Sequence, residues 1–300
     1  MIRRLALFLC LLVLSALLFG CGKNEPAETT ARPVKEDEIE KDHGIPVIVN
    51  ESAPPLEGED PLALTGIENV MRIAYVLQHA ENYTLEGRGT VKTKVAFISY
   101  TQDVEVYKDC RLGVLLEVDI TKSSIKNDAW QTCYVGDTAM IRGAAYGKTA
   151  WDGRNTKWTE EDPDVFTREE YREQYGLFGF ELSNYILNAD TIDSWSDVTD
   201  NGNGTYTQTV RPNLTAATGD CIRRMKTMGG LDKDPVFKEA AITLTFDANW
   251  RILSLHLEEN YSVKLGIINS DNCRAETDYV YAYGNADVSD FPAFFAWYVE

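Results

Sequence analysis

The sequence predicts an α+β domain built on a long, curved, half-barrel-like antiparallel sheet with a few helices packed on one face. Three observations predict it. Over 83–158, 205–212 and 240–284, short runs rich in Val, Ile, Thr and Tyr alternate apolar and polar residues, as strands with one buried face do. The runs are separated by turn signals such as Lys108-Asp109, Val135-Gly136-Asp137 and Asp152-Gly153, which favours an antiparallel meander over βαβ units. Helical spacing is confined to a few windows. The 300 residues are 44% hydrophobic and 25% charged, an ordinary globular composition that excludes wholesale disorder and a multi-span membrane protein. With 29 Lys and Arg against 47 Asp and Glu, a formal charge of −18, no basic surface for nucleic acid is expected.

In chain order, residues 1–20 come first as an export signal: Arg3 and Arg4, then an apolar run from Leu5 to Phe19, then small Gly20 before Cys21. The run is shorter than the roughly 20 residues that cross a bilayer. Leu18-Phe19-Gly20-Cys21 resembles the bacterial lipoprotein lipobox, departing from it at Phe19. The resemblance implies diacylation of Cys21, membrane attachment through that cysteine and an extracytoplasmic location. Residues 21–61 follow as a disordered tether, rich in Glu, Asp, Pro, Thr and Lys, because such a composition buries too little apolar area to offset ordering entropy. The tether carries 11 acids and 4 bases. The remaining domain is therefore near −13, a charge that an anionic membrane repels.

The globular part, 62–300, opens with one amphipathic helix over 61–80, with Thr65 as N-cap and Ile67, Val70, Met71, Ala74 and Leu77 at helical spacing. Strands fill 83–158. Thr167 and Glu170 then form a capping box before EYREQYG, and FELSNYILN places Leu182, Tyr185, Ile186 and Leu187 on one side of a second helical stretch. Asp200-Asn201-Gly202-Asn203-Gly204 marks a hairpin turn. A helix over 215–228 ends at Gly229-Gly230. Long strands follow, with turns expected at Asp247-Ala248-Asn249 and near Glu259-Asn260. The order of helix then strands occurs twice, compatible with one bent sheet or with two related halves, 62–160 and 165–300.

The lipobox, tether, opening helix and strand-helix order resemble exported half-barrel proteins of the LolA, RseB and LppX type over 62–284. LSNYILNADTI, MKTMGGL and LTFDANWRILSLHLEENYSV resemble segments of uncharacterised lipoproteins of Gram-positive bacteria. The half-barrel resemblance implies binding of an apolar ligand or a lipoprotein in the sheet's concavity; neither resemblance implies a catalytic residue.

Side-chain chemistry is sparse. Four cysteines remain after Cys10 and Cys21: Cys110, Cys133, Cys221 and Cys273. An even number in an exported domain suggests two disulfides, Cys110 with Cys133 and Cys221 with Cys273, if a strand turns back near Thr121-Lys122; buried thiols are the alternative. His43, His79 and His256 show no metal spacing, and the 200–204 segment resembles a calcium loop only superficially, lacking the register and the closing glutamate. Ser183 and Ser254 lie in no nucleophile motif. Glu160-Glu161-Asp162 with Asp164 is a carboxylate run that an envelope hydrolase could use, but such runs are usually solvated faces. Gly87, Gly89 and Gly113 suggest bulges or bends. Trp130, Trp151, Trp158, Trp195, Trp250, Trp297, Tyr134 and Tyr146 line either a core or a ligand groove. The apolar terminus FPAFFAWYVE could plug the concavity. No cofactor is expected. The leading expectation is a non-enzymatic binding module of the cell envelope, with an envelope glycan or peptide hydrolase as the alternative.

Overall fold

The structure, a computed structural model, describes residues 52–95, 98–112, 114–123, 127–145, 163–231, 233–265 and 268–284. Cys21, the signal, Trp151, Trp158, Trp297, Tyr146, His43, Gly113, Glu160-Glu161-Asp162 and the apolar C-terminus lie outside the described residues.

The chain forms α1 (Gly66–Gln78), β1 (Asn82–Val95), β2 (Ile98–Arg111), β3 (Val114–Ser123), β4 (Asn127–Val135), β5 (Thr138–Ala145) and β6 (Asp164–Thr167). After α2 (Arg168–Tyr175) come β7 (Ile192–Trp195), β8 (Thr199–Asp200), β9 (Thr205–Pro212), α3 (Gly219–Thr227), β10 (Val236–Asp247), β11 (Ile252–Leu265) and β12 (Ile268–Tyr283). All strand pairs are antiparallel in one 12-stranded sheet of order β6-β5-β4-β3-β2-β1-β12-β11-β10-β9-β7, with β8 beside β9. The sheet is curved and does not close, and it runs unbroken through both sequence halves because β1 pairs β12 over eleven residues.

Register assigns the faces. Tyr83, Leu85, Val106, Cys110, Leu115, Tyr134, Ile141, Ile242, Leu244, Leu255, Leu257 and Tyr281 share the inner face. They form one core with Val70, Ile73 and Leu77 of α1 and Tyr171 and Tyr175 of α2. A full capping box at Thr65 and Glu68 starts α1, and another at Thr167 and Glu170 starts α2. Residues 52–60, expected as the end of the tether, are instead tied to α1: Ala53 N donates to Met71 O, Ser52 Oγ to Gln78 Oε1, and Arg72 pairs with Glu59 at 2.8 Å.

Several local expectations are corrected. No turn forms at Lys108-Asp109 or at Glu259-Asn260, because β2 and β11 run straight through both. The chain reverses after Val95, at Leu112 and after Leu265 instead. Gly87 and Gly89 sit in unbroken ladders, not at bulges; a Cβ there would meet the Tyr279 ring at 2.6 Å and Thr277 Oγ1 at 2.2 Å, so the glycines make room for β12 side chains. The 177–191 stretch is not a helix. Ser183 Oγ accepts from Tyr185 N, Asn188 Oδ1 from Asp190 N, and Thr191 Oγ1 donates to Ile186 O; these local bonds replace the helical ladder. Tyr185, Ile186 and Leu187 are consecutively buried, a pattern that leaves no solvent face for a helix. The hairpin turn at 200–204 and the helix stop at Gly230 form as expected, with Gly202, Gly204 and Gly230 at positive φ.

Candidate functional site

Alternation on two neighbouring strands builds the most chemically distinctive part of the inner face. Val106 and Lys108 on β2, and Leu115, Glu117 and Asp119 on β3, all point inward, with Lys108 directly opposite Glu117. Lys108 Nζ lies 3.2 Å from Glu117 Oε2. Arg224, in the last turn of α3, reaches between the two acids, its Nη2 2.5 Å from Glu117 Oε1 and 2.5 Å from Asp119 Oδ2. Tyr134 donates its hydroxyl hydrogen to Tyr171 at 2.9 Å at the edge of this group.

The roof over the cluster is the irregular segment 177–184. Gly176, at φ 88°, turns the chain out of α2; a Cβ there would meet Asp220 O at 2.4 Å. Phe178 then stacks edge-on against Tyr134. Lys108 Nζ donates to Gly179 O at 2.7 Å, and Arg172 Nη1 donates to Glu181 Oε1 at 2.9 Å. The floor is apolar: Leu85, Val106, Leu255, Leu257, Tyr279 and Tyr281. Between floor, roof and charges lies a cavity of about 50 Å³, enough for a few waters but far short of the roughly 300–1,000 Å³ of a drug-sized pocket. Among the described residues, the space between this floor and roof is nearly filled.

Two cations face two carboxylates, so the cluster is balanced. Burial pushes the Glu117 carboxyl up, but Lys108 and Arg224 overcome it and hold the group below its ordinary value. Burial raises Asp119, and Glu117 beside it adds to this against the pull of Arg224. Arg224 stays charged because the two acids outweigh its own desolvation. Nearby, Glu259 is raised by burial and accepts from the Tyr185 hydroxyl at 2.6 Å.

The structure brings together few of the residues singled out from sequence. Ser183 lies in the roof, its Oγ accepting a backbone bond. His79 caps α1 and stacks on Tyr75, while His256 pairs with Asp278 on the outer face at 2.7 Å. Ser254 is on that outer face as well, and Asp164 is exposed on β6. Trp250 donates to Asn69 Oδ1 at 2.7 Å and ties the β10–β11 hairpin to α1; Trp195 lies against Gly66. Trp130 and Tyr134 belong to the core. Among the described residues no group of His, Cys, Asp and Glu could hold a metal ion.

The proposed Cys110–Cys133 pairing is corrected by register. Cys110 ends β2 opposite Leu115, whereas Cys133 on β4 lies opposite Leu116, so the two thiols occupy opposite faces of the sheet. Cys110 Sγ instead approaches Ala80 O and Glu81 O. Cys221 and Cys273 are buried thiols, Cys273 donating to Ser270 Oγ at 3.5 Å.

The cluster of Lys108, Glu117, Asp119 and Arg224 escaped the sequence reading. Its signal was two acids spaced by two within the apolar strand LGVLLEVDI, a spacing that puts both charges on the buried face.

No family model matches the chain, and no curated protein matches it. Among solved structures, a DUF1329 family protein from Desulfovibrio piger is similar at 9% identity and a TM-score of 0.28, over 79% of this chain and 99% of that one. A putative outer membrane lipoprotein-sorting protein domain from Vibrio parahaemolyticus is similar at 11% identity and a TM-score of 0.26, over 74% of this chain and 94% of that one. At these scores neither likeness carries an argument about function.

Proposed function

We propose that this chain is a non-enzymatic binding module of the cell envelope, anchored in the membrane by a diacylated Cys21 and holding an apolar or amphipathic ligand on the inner face of its sheet. One observation carries the reading. The apolar floor is roofed by an irregular segment, not by a helix or strand; it is held by Phe178 and Leu182 packed into the core and by Lys108 to Gly179 O and Arg172 to Glu181. Phe178 and Leu182 of this roof are buried in the core, so a ligand larger than the present 50 Å³ must displace them and offset that loss with its own buried apolar surface. Among the described residues no helix is long and apolar enough to cross a membrane, and lipidation of Cys21 supplies the two acyl chains that stable anchoring needs.

A hydrolase reading has less support. Among the described carboxylates, Glu117 with Asp119 is engaged by one guanidinium in a cavity too small for a sugar ring.

Mass spectrometry of the full chain purified from its native membrane tests the reading. The expected result is a co-purifying amphiphile, displaced by a fluorescent acyl probe. A chain that yields no extractable lipid and binds no probe would overturn it. Separately, Cys21→Ala is expected to abolish acyl labelling and release the protein into the soluble exported fraction; unchanged labelling refutes the anchor.

A further inference from the structure

A second cavity, of about 190 Å³, opens on the outer face of the sheet, over β10 and its neighbours. Its floor is made of small residues: Ala241 points outward there, and both Ala240 and Ala241 are buried. Register sets the walls. Val210 pairs Ile242 within the core, so Arg211 emerges on the outer face beside Ala241. On the other side Glu258 lies directly opposite Ala241. Asn260 and Arg274, a cross-strand pair, stand one outward position further along. Glu239 reaches this face through a bulge. Strict alternation from the inward Phe237 would turn Glu239 to the core, but the register shift between the two sets it opposite Asn260.

The charges around this dip are complementary but held apart. Arg274 is taken by Glu276 at 2.8 Å and lies 3.7 Å from Glu258. Arg211 and Glu239 are diagonal neighbours of opposite sign on adjacent strands, yet neither makes an ion pair or a hydrogen bond among the described residues. The cavity lies between them. Asn260 adds an acceptor without a donor: its Oδ1 is shielded from water and unpartnered, a deficit that a bound N–H would remove. Neighbouring strands stand roughly 4.8 Å apart, so the backbones at Arg211 and Glu258, two strands apart, are separated by about 10 Å. Arg211, Glu239, Glu258 and Arg274 are exposed at the rim, so a ligand enters from solvent without moving any segment. At about 30 Å³ per water, the volume matches about six waters, the size of a molecule of fewer than about ten non-hydrogen atoms.

The geometry points to this outer cavity as a binding site for a small zwitterion of the α-amino acid type, its carboxylate on the Arg211 guanidinium and its ammonium between the Glu239 and Glu258 carboxylates. A guanidinium fork takes a carboxylate through two parallel hydrogen bonds, and an ammonium carries three donors for the acceptors around it. A simple anion leaves Glu239 unpaired and is repelled by both glutamates, whereas a simple cation meets Arg211 and Arg274. Only a molecule that carries both signs a few bonds apart answers both sides of the cavity. Ala241 leaves room over the floor for a short side chain. The site shares no residue with the cavity under 177–184 and does not depend on what that cavity binds.

The test is saturation-transfer NMR with calorimetry on the full chain in detergent micelles, using glycine, L-alanine and L-threonine as probes. At least one is expected to bind, with its N-acetyl derivative and its amide each about tenfold weaker, because each derivative lacks one of the two charges. Arg211→Gln and Glu239→Gln should weaken binding by about the same factor. Both positions are exposed and unpaired, so thermal unfolding should stay as in wild type. Ala241→Leu fills the floor without altering charge and should abolish binding. Three results would each overturn the assignment: no probe binds, the N-acetyl or amide derivative binds as well as its parent, or Arg211→Gln and Glu239→Gln bind as wild type does. The second would leave a simple ion site, and the third would move the binding elsewhere on the chain.

Discussion

Replacing Arg224 by Met removes the cation that two buried acids share while keeping most of its volume. Glu117 is 3% exposed and Asp119 18% exposed, so neither can recover its lost solvation from water. Breaking a buried ion pair from one side costs about 3–5 kcal/mol, because the remaining charge stays desolvated and unpaired. Lys108 still lies 3.2 Å from Glu117, which places the expected loss near the lower end, about 3 kcal/mol. For a domain of this size that is roughly a 6–12 °C fall in Tm. Far-UV circular dichroism during heating at pH 7.5 and pH 4.5 checks it. Without Arg224 both acids should titrate higher, so protonation at pH 4.5 should relieve the repulsion and shrink the deficit. Replacing Glu117 by Gln and Asp119 by Asn in the Arg224→Met background should recover much of the loss. A deficit under about 1 kcal/mol, or one equal at both pH values, would refute a charge-balanced cluster and leave only lost packing.

Asp119→Asn reports on the raised carboxyl. A folded pKa above the unfolded value contributes stability at low pH and loses it as pH rises through the raised value; wild type should therefore lose stability relative to Asp119→Asn between pH 4 and pH 8, read from urea midpoints. Gly176→Ala should cost about 3 kcal/mol, because φ 88° disfavours any side chain and the new Cβ meets Asp220 O; an unchanged urea midpoint would contradict this. Burial pushes the Cys133 thiol up to about 12, so iodoacetamide at pH 8 should leave it unmodified in the folded protein and label it in denaturant, as peptide mapping would show.

The clearest sequence-level successes are positions where chemistry is local. Thr167 with Glu170 and the Asn-Gly turn at 200–204 specify their structures through contacts a few residues away. The failures share a different cause. FELSNYILN has helical spacing, yet Ser183, Asn188 and Thr191 satisfy the backbone in other ways once the segment is buried as a roof. Glu259-Asn260 looked like a turn because polar residues interrupt a strand, but Glu259 points inward to Tyr185. Cys110 and Cys133 looked pairable until the turn at Leu112 set a register that sends their side chains to opposite faces.

By itself, then, the sequence determined the class of the domain, α+β on a long antiparallel sheet, because period-two patterning and turn chemistry act over a few residues. Only the tertiary structure decided which charges meet. Arg224 lies 107 residues from Glu117 in the chain, and Glu259 meets the Tyr185 hydroxyl across 74 residues. Contacts of that range depend on strand order and register, and strand order arises from how the long strands together bury a common face, not from any one segment.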